Sequence, residues 1–278
     1  MADRLTFPIR GTKFSVNVET SRLLAERRSE YQHIAFYDSP TFGRLMLLDG
    51  HIQLTELDEK VYHEGLVQYP LANLESPRSA LVVGGGDGAT VRELVRDPRL
   101  ARIVMVEIDE EVIKTTEEAW PELAGEALRD PRVELHIGDA FPFVQAMQES
   151  FDLIIVDGTD VYEEEDGALS EMLYTEAFYA DLRRCLAPGG FVVTQADNPV
   201  FCPYSRDAAL GLIGQVFPRT GWYWTPVPSF GGASAYVWGS NDAEMSRDSR
   251  KLKDTTRVPA HLYDMAFGPW PYAPVGEF

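Results

Sequence analysis

Residues 81–88 read LVVGGGDG, and residues 103–109 read IVMVEID. A short apolar run enters a glycine-rich turn, a helical stretch follows, and a second apolar run ends in the carboxylate of Glu107. This is the layout of a nucleoside-binding β-α-β unit, in which glycines let the backbone approach the ligand and the carboxylate accepts hydrogen bonds from ribose hydroxyls. The segment therefore predicts a nucleoside site that includes Gly84, Gly86 and Glu107.

Asp87 makes this turn unusual. Gly84, Gly86 and Ala89 fit a loose glycine fingerprint that many unrelated turns share. A carboxylate in a loop built for a pyrophosphate would repel that group, so the ligand is expected to carry a positive charge. Asp87 thus narrows the prediction to a cationic nucleoside.

Beyond this unit, apolar runs alternate with helical stretches. The runs begin near Ala80, Arg102, Val133, Phe151, Gly190, Trp222 and Ala235. Such alternation predicts an α/β fold with a mainly parallel, Rossmann-like sheet covered on both faces. Only a short loop joins the last two runs, which predicts an antiparallel hairpin at the sheet edge.

The residues before this sheet have a different pattern. Residues 12–57 combine alternating apolar and polar positions with turn signals, which predicts a small antiparallel β domain built from hairpins. A helical pattern then runs from Asp58 to about Leu74. We therefore expect an N-terminal β-hairpin domain at residues 1–58 and a nucleoside-binding catalytic domain with a C-terminal tail at residues 59–278.

The composition indicates a globular protein with an acidic surface. The chain has 278 residues, with 44 acidic and 25 basic side chains and a formal net charge of −19. This charge disfavours nucleic acid as a partner and suits a small cationic substrate, although excess acid also keeps proteins soluble. Cys185 and Cys202 are too few for a disulfide framework and lack metal-ligand spacing. The chain has no apolar run typical of a signal peptide or membrane span, which predicts a cytoplasmic protein with no membrane partner.

Acidic residues follow five successive predicted strands. They are Asp87, Glu107, Asp139, Asp157 with Asp160, and Asp197. Ligands of open parallel sheets bind beyond the carboxyl ends of the strands. A single aspartate there is often only a turn former or a helix cap, but five strands that end in acids predict a cation-binding edge.

An amine substrate or a sulfonium cofactor fits such an edge. Carboxylates raise the pKa of a bound amine, which is already about 10.4 for a lysine-like group, and this opposes attack by the neutral amine. The site must therefore separate two tasks, because one carboxylate has to bind a distal ammonium while another accepts the proton of the attacking nitrogen. The spacing of Asp157 and Asp160 suits this division.

A set of short motifs in one order extends this interpretation across the chain. They are residues 31–34 (YQHI), 42–50 (FGRLMLLDG), 53–56 (QLTE), 58–64 (DEKVYHE), 84–88 (GGGDG), 105–109 (MVEID), 130–133 (DPRV), 151–157 (FDLIIVD), 186–190 (LAPGG) and, more loosely, 259–261 (PAH). Together they resemble the polyamine aminopropyltransferase family, most closely its bacterial spermidine synthases. The resemblance covers about residues 12–270.

The resemblance implies a fold and an activity. It implies a class I methyltransferase-type Rossmann-like domain after the β domain, and a homodimer or homotetramer. It also implies a transferase of spermidine biosynthesis that uses decarboxylated S-adenosylmethionine as donor co-substrate and needs no metal. The default acceptor would be putrescine, giving spermidine and methylthioadenosine.

The resemblance also assigns roles around the donor. Gln32 and Glu107 would hold the ribose, and Asp139 would bind the adenine amino group. Asp87 would bind the aminopropyl ammonium, where ordinary S-adenosylmethionine carries a carboxylate that Asp87 would repel.

On the acceptor side, the resemblance makes Asp157 the catalytic base, supported by Tyr62. The other acceptor-side residues it implies are Asp160 at the far end of the acceptor, together with Gln53, His63, Asp197 and Phe230. Tyr62 could instead be a buried helix aromatic with a satisfied hydroxyl, and a lone histidine such as His63 is more often structural than catalytic.

Two departures from the family pattern leave the acceptor open. Residues 161–167 read VYEEEDG without the usual prolines, and residues 227–230 read VPSF, in which Phe230 adds bulk. An acidic loop could hold a longer or additional cationic end, or could be a solvated charge run. The alternatives are another acceptor (cadaverine, agmatine, norspermidine or a triamine such as spermidine), an amine N-methyltransferase that uses S-adenosylmethionine, and a polyamine sensor without turnover.

Overall fold

The structure is a computed structural model. It describes residues 3–8, 15–158, 175–246, 248–252, 255, 257–268 and 270–272. Asp160 and the acidic run at residues 161–167 lie outside the described residues.

The N-terminal part forms two small antiparallel sheets. Strand β1 (Asp3–Pro8) pairs with β2 (Ser15–Thr20). The second sheet has the order β3 (Arg22–Arg28), β4 (His33–Ser39), β5 (Gly43–Leu48) and β6 (His51–Thr55). Asp49 and Gly50 join β5 to β6 with φ angles of 48° and 80°, as a tight hairpin turn requires. The predicted antiparallel hairpins are confirmed, although they form two sheets instead of one.

The larger sheet has seven strands. They are β7 (Ser79–Gly84), β8 (Arg102–Glu107), β9 (Val133–Ile137), β10 (Phe151–Asp157), β11 (Leu186–Gln195), β12 (Arg219–Val227) and β13 (Gly232–Ser240). Their order is β12-β13-β11-β10-β7-β8-β9, in which β11, β10, β7, β8 and β9 are parallel neighbours. The pairs β11–β13 and β12–β13 are antiparallel. The predicted parallel sheet with an edge hairpin is confirmed.

Strand β11 starts earlier than the sequence predicts. The apolar run begins near Gly190, but pairing with β10 starts at Leu186. The register shifts between Phe151 and Leu153, so an irregularity accommodates the proline and glycines before Phe191.

Helices cover both faces of this sheet. In the described part of the chain they are α1 (Glu59–Ala72), α2 (Ala89–Val95), α3 (Glu110–Ala119), α4 (Ala140–Ala146), α5 (Glu176–Arg184), α6 (Pro203–Val216) and α7 (Ala260–Ala266). Successive strand residues point to opposite faces, so Val82 packs with Leu66 of α1 while Leu81 packs with Phe178 of α5. Each fully buried side chain of this kind contributes about 1.5–3 kcal/mol. None of the described helices is long and apolar enough to cross a lipid bilayer.

The N-terminal sheet and the C-terminal tail both pack on this core. Phe36 and Met46 join a buried cluster with Val112 and Trp120, next to the start and end of α3. The tail contributes Phe267, whose ring lies 5.1 Å from that of Tyr223. Helix α1 begins directly after the predicted domain boundary at residue 58; the boundary itself stays a prediction.

Candidate active site

The sheet order brings acidic side chains into one row. Because the carboxyl ends of parallel strands meet at one sheet edge, the residues at or just after β11, β10, β7, β8 and β9 are neighbours in that order. They are Asp197, Asp157, Asp87, Glu107 and Asp139. This edge is where the sequence predicts cation binding.

The glycine turn lies in the middle of this row. Gly84, Gly85 and Gly88 have φ angles of 80°, 75° and 78°, which side chains with a Cβ rarely adopt. A Cβ on Gly84 would overlap the carbonyl oxygen of Asp157, and one on Gly86 would lie 2.9 Å from Oε2 of Glu107. The turn therefore passes closely between the ends of β10 and β8.

Glu107 is nearly enclosed at the end of β8. Its side chain is 7% exposed, and Oε1 accepts a hydrogen bond from the backbone N–H of Asp109 at 2.8 Å. Burial raises the pKa of Glu107 to about 7, and the charges of Asp109 and Asp87 act in the same direction. Glu107 therefore changes its charge near neutral pH.

Asp109 is a buried residue that the sequence interpretation missed. Its Oδ2 accepts hydrogen bonds from Ser29 Oγ at 2.7 Å and from Gln32 Nε2 at 2.9 Å. Its Oδ1 accepts from the backbone N–H of Glu111 as the N-cap of α3. Gln32 thus contacts Asp109, two residues after Glu107. A signal was present, since an aspartate before a helical run is a typical cap.

Asp157 is held by two hydroxyl groups. Tyr62 Oη donates to Oδ1 at 3.0 Å, and Thr90 Oγ1 donates to Oδ2 at 2.5 Å. Burial raises the pKa of Asp157, and the charge of Asp87 adds to this, whereas His63 and both hydroxyls lower it. Sequence reasoning missed Thr90, because only the fold brings this residue of α2 to the end of β10, 67 positions along the chain.

His63 lies beneath the carboxylates and is 1% exposed. Its Nδ1 is 2.7 Å from the carbonyl oxygen of Glu59 and 3.2 Å from Oε2 of Glu59. Its Nε2 is 3.6 Å from Oδ1 of Asp87. Burial alone lowers the pKa of His63, but the hydrogen bond to Glu59 and the charges of Asp87, Glu59 and Asp157 raise it to about 9.

Glu59 continues this chain of charges away from the cleft. Both Glu59 oxygens face Arg92, at 3.1 Å from Nη1 and 2.8 Å from Nη2. Burial raises the pKa of Glu59, but His63 and Arg92 outweigh it and lower the pKa to about 2. A connected series Arg92–Glu59–His63–Asp87 therefore enters the acidic edge from α2 and α1.

The cluster can hold a small organic cation. In the described part of the chain, one ligand atom each of His63, Asp87 and Asp157 lies within 4.8 Å of the other two. Histidine and carboxylate side chains also bind metals. Both ring nitrogens of His63 face oxygen acceptors, however, and a nitrogen that donates its N–H to an acceptor has no lone pair for a metal. Two carboxylates beside a histidine attract small cations, and an ammonium group is one of these.

Phe230 belongs to a turn that is fixed to the start of α1. Asp58 is 3% exposed and accepts hydrogen bonds from Ser229 N at 2.8 Å and Ser229 Oγ at 3.0 Å. The Phe230 ring stands edge-on to Tyr62, with ring centroids 5.7 Å apart. The turn thus presents Phe230 beside the tyrosine that binds Asp157.

The other predicted site residues lie on separate elements. Gln53 is half-buried on β6, and its amide donates to the carbonyl oxygen of His51 at 3.4 Å. Asp139 caps α4 by accepting from Phe141 N at 2.8 Å. Asp197 has a φ of 61° and accepts from Asn198 N at 2.6 Å. Their predicted roles stay predictions.

Two protein-family models match this chain. Residues 59–249 match the spermine/spermidine synthase domain, and residues 8–56 match the spermidine synthase tetramerisation domain. A polyamine aminopropyltransferase of Thermoanaerobacter sp. (strain X514) is 37% identical over 259 residues, which cover 92% of this chain and 91% of the relative. Polyamine aminopropyltransferase 1 of Pseudomonas aeruginosa is 37% identical over 238 residues, covering 85% and 80%.

Solved structures share the fold. A crystal structure of spermidine synthase in complex with the transition-state analogue AdoDATO has a TM-score of 0.87 and 25% identity, covering 95% of this chain and 91% of that chain. Spermidine synthase from Thermotoga maritima has a TM-score of 0.84 and 24% identity, covering 95% and 90%.

Proposed function

Since this chain belongs to the spermine/spermidine synthase family of aminopropyltransferases, we propose that it transfers the aminopropyl group of decarboxylated S-adenosylmethionine to a small amine. Putrescine is the default acceptor, with spermidine and methylthioadenosine as products. One observation carries the proposal: Asp157 ends β10, Asp87 follows the adjacent strand β7, and Glu107 ends the next strand, β8.

This row matches the parts of the proposed donor. Glu107 and Gln32 would hold the ribose, Asp139 the adenine amino group, and the turn at Gly84 and Gly86 would pass close to the nucleoside. The aminopropyl ammonium would lie at Asp87. Ordinary S-adenosylmethionine carries a carboxylate next to this ammonium, and repulsion from Asp87 would weaken its binding. The structurally similar spermidine synthase in complex with the transition-state analogue AdoDATO supports a donor of this type.

The proposed reaction is one displacement at carbon. The lone pair of the acceptor nitrogen attacks the aminopropyl carbon attached to sulfur, a C–N bond forms, and the C–S bond breaks. Its electron pair stays on sulfur, so the sulfonium becomes the neutral thioether of methylthioadenosine. The proton of the nitrogen passes to the Asp157 carboxylate, whose orientation Tyr62 and Thr90 hold. Alignment of nitrogen and carbon supplies the rest of the acceleration.

A different acceptor is the second candidate. Phe230 lies edge-on to Tyr62, the residue bonded to the proposed base, so the size of its side chain would affect which amines fit. The family-typical acceptor contacts at Gln53 and Asp197, and at Asp160 outside the described residues, would fix the length of amine that fits. Cadaverine, agmatine, norspermidine and spermidine are the amines to compare with putrescine.

Assembly into a homodimer or homotetramer is part of the proposal. The match of residues 8–56 to a tetramerisation domain supports it. Light scattering of the purified protein measures the mass, and a monomer of 31.2 kDa would contradict it.

The test is release of methylthioadenosine from decarboxylated S-adenosylmethionine. Each of the five amines is supplied separately at equal concentration, and S-adenosylmethionine serves as the control donor. We expect release with the decarboxylated donor and an amine preference led by putrescine. Preference for another of the five amines would replace putrescine as the acceptor and leave the proposed reaction unchanged. No release of methylthioadenosine with any of the five amines, or formation of S-adenosylhomocysteine from S-adenosylmethionine instead, would overturn the proposal.

A further inference from the structure

We propose that His63 is a positioning residue whose buried imidazolium cation balances the carboxylates of Asp87 and Asp157, so that the acceptor amine can lose its proton beside Asp157. This inference rests on the proposed function and deepens it. It addresses a difficulty of an acidic amine site, because carboxylates bind an ammonium well but also hold its proton on the nitrogen.

The geometry supports protonation of both ring nitrogens. Nδ1 faces two acceptors on Glu59, the carbonyl oxygen at 2.7 Å and Oε2 at 3.2 Å. Nε2 faces a third acceptor, Oδ1 of Asp87, at 3.6 Å. A neutral imidazole has only one N–H, so one of its nitrogens would place a lone pair against an acceptor. The imidazolium donates to Glu59 through Nδ1 and forms an ion pair with Asp87 at 3.6 Å through Nε2.

The groups packed around His63 are mostly anionic. On its own helix it faces Glu59 and the ring of Tyr62, whose centroid is 4.9 Å away. From the β7 turn and from β10 it faces Asp87 and Asp157. Arg92 is bonded to Glu59 at 2.8 Å and also pairs with Glu93 at 3.0 Å, and Arg96 pairs with Glu93 in turn. Glu59 therefore has a cationic partner besides His63, and the other ring nitrogen of His63 faces Asp87.

His63 and the bound donor would offset the negative charges of Asp87 and Asp157. Without His63, two carboxylates would surround the attacking nitrogen and the donor ammonium. One imidazolium and the ammonium of one bound donor offset the two negative charges before the acceptor arrives, and the donor sulfonium adds a further positive charge. The acceptor nitrogen then meets no excess of negative charge, so its ammonium form is not favoured and transfer of a proton to Asp157 becomes easier.

Loss of the His63 charge should shift the pH dependence of turnover in one direction. The positive charge of His63 lowers the pH at which Asp157 and the bound amine lose their protons. Removing that charge moves the acidic limb of the kcat profile to higher pH, and turnover lost at pH 7 is recovered in alkali. A role in packing alone would lower turnover by one factor at every pH.

The first experiment measures the protonation of the His63 side chain by NMR. The chain has five histidines, so ring C–H signals can be assigned by the loss of one signal in His63→Gln. We expect the wild-type His63 signal to titrate near pH 9. In Glu59→Gln the titration should fall by at least one unit. A wild-type titration at or below the ordinary value of about 6.5 would overturn the proposal.

The second experiment measures kcat for methylthioadenosine release from pH 6 to pH 10. For His63→Gln we expect the acidic limb to rise by about one unit or more, with about tenfold lower turnover at pH 7 that recovers near pH 9. The matched control is His33→Gln, which removes a histidine paired with Glu26 at 2.9 Å on the N-terminal sheet. This control should keep the wild-type profile.

The outcomes separate the two proposals. If wild type releases no methylthioadenosine with any amine, the proposed function fails, while the NMR titration still reports whether His63 is a cation. If wild type is active and His63→Gln loses the same factor at every pH, the charge-balancing role is wrong although the function stands. Thermal unfolding of both histidine variants verifies that they fold.

Discussion

The two halves of the acidic edge are built in different ways. The centre of the proposed nucleoside half comes from one continuous segment, in which β7, the glycine turn, α2 and β8 deliver Asp87 and Glu107, while Gln32 and Asp139 would add to it from other segments. The amine half collects its parts from distant segments, since Tyr62 and Asp157, which share a hydrogen bond, are 95 residues apart in the chain. Phe230 joins them from a third segment through its contact with Tyr62.

This difference separates two kinds of recognition. The proposed nucleoside half would use backbone shape, because a Cβ at Gly84 or Gly86 would meet Asp157 or Glu107. The proposed amine half would use side-chain hydroxyls and charges around one buried carboxylate. Changes in the amine half should therefore alter turnover and leave donor binding intact, whereas changes in the nucleoside half should alter binding of the donor.

Asp157→Asn tests this separation most strongly. The amide cannot accept the amine proton, so kcat should fall by about 10²–10⁴-fold. Binding of methylthioadenosine, measured by titration calorimetry, should stay within about threefold of wild type, a margin set by ordinary surface effects. Asp207→Asn, which alters an exposed aspartate paired with Arg206, is the control and should behave as wild type. Near-normal turnover in Asp157→Asn would refute the assignment.

Tyr62→Phe should have the next largest effect. It removes the hydroxyl bonded to Asp157 and keeps the ring that contacts Phe230. A hydrogen bond to a charged group contributes about 1.5–3 kcal/mol, so kcat should fall by roughly ten- to a hundredfold. Tyr69→Phe is the matched control on the same helix, because the buried Tyr69 hydroxyl has no hydrogen-bond partner among the described residues. Equal losses in both variants would point to a general effect on α1.

The nucleoside half should show its own pH dependence. Ribose hydroxyls donate to a carboxylate, so the ionised form of Glu107 is expected to bind. Its pKa is about 7, and the affinity for methylthioadenosine should therefore weaken by about five- to tenfold for each pH unit below 7. Calorimetry from pH 5.5 to 8 measures this, and Glu107→Gln should remove the slope. A flat wild-type profile would separate Glu107 from ribose binding.

Phe230→Ala should produce the smallest change. Loss of an edge-on aromatic pair costs about 0.5–1.5 kcal/mol, so KM values for the amines should shift by roughly two- to tenfold. The order of preference among putrescine, norspermidine and spermidine should change, while methylthioadenosine binding stays constant. An unchanged preference would remove Phe230 from acceptor selection.

The sequence reveals the nucleoside half better than the amine half. Turn glycines with positive φ and a carboxylate at a strand end are local features, so Gly84, Asp87 and Glu107 could be located from spacing. The parallel sheet and its edge hairpin follow from the order of apolar runs in the same way. Residues 161–167, which the sequence marks as a departure from the family, lie outside the described residues and stay untested.

Contacts between residues far apart in the chain cannot be inferred from sequence spacing. Thr90 and Asp109 look like ordinary helix-start residues, and only tertiary packing brings them to Asp157 and Gln32. The proposed charge on His63 is equally hidden from the sequence, because it depends on Glu59 one helical turn away and on Asp87 from another segment. Sequence spacing gives the first contact through i,i+4 geometry but not the second.

The contact between Asp58 and Ser229 has a consequence for protein engineering. Asp58 accepts hydrogen bonds from the backbone N–H and the hydroxyl of Ser229, and Asn198 donates to the carbonyl oxygen of Phe230. None of these bonds uses the Phe230 ring. The anchor and the side chain beside Tyr62 are thus separable. Position 230 can be varied as a library site for new amine acceptors while the turn keeps its attachment.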